Sequence, residues 1–118
     1  MLKRFMTRRT LPVIALTLVV GLTAPFAAAG QDVKKGEQVY AAQKCATCHS
    51  IAGKGKKTNP LDGVGGKLSA EDIKQWIVDP KGMAAKAKST KKPPMAAKYS
   101  GLPAADVDAL VAYMASLK

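Results

Sequence analysis

The five residues Cys45-Ala46-Thr47-Cys48-His49 constrain the chain more than any other run. Two thiols separated by two residues, followed at once by an imidazole, form the attachment signature of a c-type haem. The spacing has a chemical reason. Each thiol can add to one vinyl group of a porphyrin, and a two-residue spacer lets one turn of backbone reach both. The next residue then falls beneath the iron. Cys45 and Cys48 are therefore candidate thioether donors, and His49 is the candidate proximal ligand. The competing chemistries fit less well. A tetrahedral zinc site needs further ligands, and the chain has no other Cys or His. A thioredoxin-like dithiol belongs among alternating strands and helices, and no convincing strand is visible. A disulfide closing so small a loop would contribute little.

Residues 1–29 have the pattern of a secretory signal. Lys3, Arg4, Arg8 and Arg9 form a positive start, and Leu11 to Val20 is apolar apart from Pro12 and Thr17. Ala27-Ala28-Ala29 offers small residues for cleavage before Gly30. The alternative is an uncleaved membrane anchor. Against it, the apolar run is shorter than the ~20 residues of a spanning helix, and Gly21 and Pro25 stand near its end. Arg8-Arg9 is only a weak twin-arginine feature. Export sets the expected location as the periplasm, with both thiols consumed by the haem and none left for a disulfide.

Residues 30–118 have the length of one small domain. Domains of this size bury only about 60% of their unfolded surface. An enclosed prosthetic group would supply the missing apolar bulk, so the apoprotein is expected to fold poorly. The whole chain carries +11, and removing the four basic residues of the signal leaves +7. Such a balance suits nucleic acid, an anionic membrane or an acidic protein. Export and the lack of aromatics among the lysines leave an acidic redox partner as the expectation, with no nucleic acid and no stable membrane insertion once the signal is removed.

In chain order, Asp32 is a candidate N-cap for a first helix over Val33–Lys44. Val33, Gly36, Val39 and Tyr40 share one face of it, and the cost of Gly36 in a helix suggests close approach by another backbone. Ile51 to Gly66, rich in Gly and Lys, reads as loop, and Lys54, Lys56 and Lys57 read equally well as a plain solvated face. Ser69-Ala70-Glu71-Asp72 is a variant capping box opening a helix that Pro80 ends. Ile73, Trp76 and Ile77 form its apolar side. The indole N–H of Trp76 needs a partner if buried; a haem propionate and an ordinary backbone or water partner are equal candidates. Lys81–Lys92 reads mostly as loop with room for a short helix, followed by the stiff step Pro93-Pro94. Leu102-Pro103 opens a last helix whose apolar stripe is Val107, Leu110, Val111, Met114 and Leu117. The expected architecture is a small all-α domain.

These pieces together resemble class I cytochrome c over nearly the whole of residues 30–118. The resemblance rests on the first helix with Gly36 and Tyr40, Cys45-Ala46-Thr47-Cys48-His49, the loop Leu61 to Lys67, Pro93-Pro94-Met95, and the closing helix with Leu110 and Tyr113. It implies three to five helices wrapped around one covalently attached haem c, with the first and last helices crossing where Gly36 and Tyr40 meet Leu110 and Tyr113. It also implies a sixth iron ligand from the proline-flanked loop, which is Met95 here. Among the other methionines, Met1 and Met6 leave with the signal, Met114 lies on the apolar stripe, and Met83 lacks adjacent prolines. Two positions depart from the family pattern. The usual Gly-Pro is Asn59-Pro60, which leaves open which carbonyl accepts from His49, and Pro103 stands where a Ser or Thr cap is usual.

A His/Met pair fills both axial positions, so the expected function is one-electron transfer rather than catalysis. The chain is expected to be a monomeric periplasmic carrier, not an enzyme. Lys81, Lys86, Lys88, Lys91, Lys92 and Lys98 would flank an exposed haem edge and steer acidic partners. The alternatives are a dedicated haem subunit of a periplasmic oxidoreductase complex and, from another class, a haem peroxidase or ligand sensor with an open distal site.

Overall fold

The computed structural model describes Gly21 and residues 26–118. The expected signal segment therefore lies outside the described residues except for Gly21 and residues 26–29. The chain forms α1 (Phe26–Ala42), a 3-10 turn (Cys45–Thr47), β1 (Ser50–Ile51), β2 (Lys54–Gly55), α2 (Val64–Lys67), α3 (Ala70–Val78), α4 (Pro80–Lys86), a second 3-10 turn (Ala97–Gly101) and α5 (Ala104–Ser116). It is an all-α fold, as the sequence implies.

Three local expectations need correction. The first helix starts at Phe26 rather than Val33, and Asp32 lies inside it instead of capping it. Ala27-Ala28-Ala29 explains the extension, since alanine is the best helix former. The cleavage junction expected at Ala29/Gly30 thus falls within α1. The Gly- and Lys-rich stretch after His49 is not all loop. Ser50 and Ile51 pair antiparallel with Gly55 and Lys54, and positive φ at Ala52 and Gly53 turns the hairpin. The Asp62 carboxylate holds that turn by accepting from the Ala52 N–H at 2.8 Å. Third, the short helix for which Lys81–Lys92 left room is present but starts one residue earlier, at Pro80. Asp79 ends α3 and caps α4, accepting from the Gly82 N–H at 3.0 Å, with Pro80 at the first helical position.

The boundaries of α3 follow the sequence: the Ser69 hydroxyl oxygen accepts from the Asp72 N–H at 3.1 Å. Glu71 and Asp72 lie in its first turn, where negative charge complements the helix dipole. The apolar faces of α1, α3 and α5 meet in a cluster of Val39, Ile73, Ile77, Val107, Leu110 and Met114. The most extensive helix contact is between α1 and α5. Gly36 makes it possible, because a Cβ there would run into the Ala109 carbonyl oxygen and the Tyr113 side chain. Tyr40 packs edge-on to Tyr113, ring centroids 5.8 Å apart. Ion pairs from Lys35 to Asp106 at 3.1 Å and from Lys74 to Asp108 at 3.4 Å lie on the surface of these contacts. Such exposed pairs contribute little, about 0–1 kcal/mol each. At its far end α5 is tied to α2: the Gly65 N–H donates to the Leu117 carbonyl at 2.8 Å, and Lys118 Nζ donates to the Gly65 carbonyl at 3.1 Å. Among the described residues no helix is long and apolar enough to cross a membrane.

Candidate haem cleft

The core is hollow. Among the described residues no large side chain is fully buried. The apolar residues instead surround a cleft of about 620 Å³, its open mouth included, and its lining is almost wholly apolar. Its walls come from α1 (Tyr40), α3 (Ile73, Trp76, Ile77), α5 (Leu110, Met114) and the loops carrying His49, Leu61 and Met95.

Of the residues singled out in the sequence, Cys45, His49, Trp76 and Met95 all line this cleft. Cys48 does not; it is exposed, one position before His49. The two cysteines form no disulfide, Cys45 is half-buried, and burial pushes the Cys45 thiol pKa up. Trp76 is half-buried. Met114 is buried in the core cluster, as its stripe position suggests, while also touching the cleft.

The attachment turn is built by local backbone geometry. Lys44 takes a left-handed conformation, φ 56°, and turns the chain out of α1. The Cys48 and His49 N–H groups both donate to the Cys45 carbonyl, at 3.1 and 2.9 Å. The hairpin then folds back over the turn, so that the Lys56 N–H lies between the Ala46 and His49 carbonyls, 3.1 and 3.0 Å away. Gly55 permits this approach: its φ is +106°, and a Cβ would run into the His49 carbonyl oxygen.

The carbonyl that the sequence left unassigned is that of Asn59. It lies 3.1 Å from His49 Nδ1. A carbonyl can only accept, so Nδ1 carries a proton, and in the neutral ring Nε2 then keeps its lone pair. That is the tautomer a metal-binding imidazole requires, and the contact is the kind that orients such a ring. Asn59-Pro60 in place of Gly-Pro was the available signal, but spacing alone does not say which carbonyl turns inward.

Tyr40 contributes a feature with no signal in the sequence. Its hydroxyl is the one buried side-chain polar atom without a hydrogen-bond partner among the described residues. Burial also holds its pKa above the usual tyrosine value. An unpaired hydroxyl beside an apolar cleft indicates a wall shaped for a partner that the polypeptide does not supply. A haem fits this donor set: thiols, an imidazole in the metal-binding tautomer and a thioether beside an apolar slot.

No curated protein and no solved structure was found to match the chain. The family model for cytochrome c matches residues 33–118, a span that includes both cysteines, His49, Met95 and every wall of the cleft. The hollow core, the attachment turn and that match agree: the chain belongs to the cytochrome c family, whose members hold covalently attached haem c.

Proposed function

We infer that the protein is a one-electron carrier of the periplasm, with the signal of residues 1–29 removed near Ala29/Gly30. Cys45 and Cys48 would form the thioethers, and His49 and Met95 the axial ligands. The observation that carries this reading is the meeting of His49 and Met95, from separate loops, at one apolar cleft, with His49 Nδ1 already engaged by Asn59.

The bound haem supplies an iron that cycles between two oxidation states. The residues of this chain do the rest. His49 offers Nε2, held in orientation by Asn59 through Nδ1. Met95 offers a soft thioether, which favours the reduced metal and raises the potential. If His49 and Met95 both hold the iron, oxygen and peroxide would find no open site, which supports a carrier over an enzyme. The apolar lining excludes water from the ring. Trp76 presents an indole whose N–H bonds to no other described residue, which leaves it available to a propionate.

Lys81, Lys86, Lys88, Lys91, Lys92 and Lys98 are all exposed, and no acidic residue interrupts the run from Pro80 to Ala105. This acid-free arc flanks Met95 and suits short-lived docking of acidic redox proteins on a monomer. The association rate with such a partner should fall steeply as salt rises; a flat dependence would remove the steering argument.

The optical spectrum of the oxidised holoprotein, beside that of Met95→Ala, tests the ligand set. The sulfur-to-iron charge-transfer band should be present in the first and absent in the second. Rapid, complete carbon monoxide binding by the reduced native protein would overturn the closed-site reading and favour a ligand sensor or peroxidase.

A further inference from the structure

Asn59 stands where several hydrogen bonds meet. Its carbonyl oxygen accepts from His49 Nδ1 at 3.1 Å and from the Ser50 N–H at 3.3 Å. Its side-chain Nδ2 donates to the Cys48 carbonyl at 3.3 Å, and its Oδ1 accepts from Lys91 Nζ at 3.0 Å. The amide has only one workable orientation, because the Cys48 carbonyl can only accept and an ammonium can only donate. Lys91 Nζ also donates to the Thr58 carbonyl at 3.4 Å.

Lys91 lies four residues before Met95. Between Lys92 and Met95 the backbone makes no hydrogen bond among the described residues, and Pro93 and Pro94 have no N–H to offer. The Lys91 side chain therefore provides the only hydrogen bonds, among the described residues, from residues 87–96 to the attachment side of the cleft. Lys92 lines the same surface depression, with Lys56, Thr58, Asn59 and Lys91, yet bonds to none of them.

We propose that Lys91 is a positioning residue: through Asn59 it clips the loop bearing Met95 to the turn bearing His49. This rests on the reading of His49 and Met95 as the axial ligands. The clip is charge-assisted but exposed, so its effect is modest. It acts on local opening of the Met95 loop rather than on global unfolding.

Imidazole added to the oxidised holoprotein tests the clip. It takes the position that Met95 vacates, so its apparent affinity scales with the fraction of open loop. Lys91→Ala should bind imidazole about two- to fivefold more tightly than the native protein. Lys92→Ala removes the same charge and should leave the affinity unchanged. In an Asn59→Ala background, Lys91→Ala should lose most of its effect. The denaturant midpoint for loss of the charge-transfer band should fall in Lys91→Ala, with the far-UV dichroism midpoint unmoved. Native affinity in Lys91→Ala, or an equal change in Lys92→Ala, would overturn the proposal. Met95→Ala separates this failure from failure of the ligand assignment: if it binds imidazole no more tightly than the native protein, the axial reading itself falls.

Discussion

Two stretches approach the cleft from different parts of the chain, and they are held in different ways. Residues 45–60 form a dense backbone network: the attachment turn bonds to itself, the hairpin folds over it, and Asn59 secures the imidazole. Residues 87–96 have few such bonds. Lys88 and Ser89 are tied back to α4 at 3.2 and 2.9 Å; beyond them the loop relies on Lys91, two prolines and the bond that Met95 would make. Stability within one domain is graded in this way, with sparsely bonded segments opening first. The side bearing His49 is set by the polypeptide itself, whereas on the proposed reading the side bearing Met95 would be completed by the bond that Met95 makes.

Four substitutions would sharpen or break that contrast. The largest effect is expected at Gly55. Gly55→Ala drives a methyl group into the His49 carbonyl at a φ unsuited to alanine, and should lower holoprotein stability by about 2–4 kcal/mol in denaturant titrations. Gly53→Ala, also at positive φ but facing open space, should cost only about 1 kcal/mol. Equal losses at the two sites would mean that the hairpin does not brace the attachment turn. On the distal side, Pro94→Ala loosens the unfolded and opened chain alike, and should cost about 0.4–1 kcal/mol. That loss should appear in the charge-transfer band before the far-UV dichroism; simultaneous loss would show that both sides open as one unit. The smallest effect is expected at Tyr40, on the wall between them. Its hydroxyl has no partner among the described residues, so Tyr40→Phe removes at most one bond to the group held in the cleft and should lie within about 1 kcal/mol of native. Because burial raises the folded pKa of Tyr40, the native protein holds this contribution below the unfolded pKa and loses it as pH rises through the folded value. Tyr40→Phe should therefore lose less stability above the usual tyrosine pKa.

Much of this was legible in the residues. The Cys45–His49 spacing names its chemistry, the Ser69 cap and the α5 stripe mark their helices, and Gly36 announces a close helix contact. What escaped was fixed by tertiary geometry or by very short range order. The hairpin at Ser50–Gly55 has two-residue strands, too short for alternation to register. The start of α1 was hidden because Ala27-Ala28-Ala29 suits both a cleavage site and a helix. Asn59 and Lys91 lie far apart in sequence, and no periodicity links a carbonyl acceptor to a lysine in another loop.

The contact between Gly36 and α5 also bears on how the molecule is made. The wall around the cleft is assembled from both ends of the domain, so it cannot close until the thirteen residues of α5 have arrived. A chain delivered N-terminus first therefore presents Cys45 and Cys48 while its interior is still accessible. The topology thus leaves the cleft without its last wall until the final helix docks against α1.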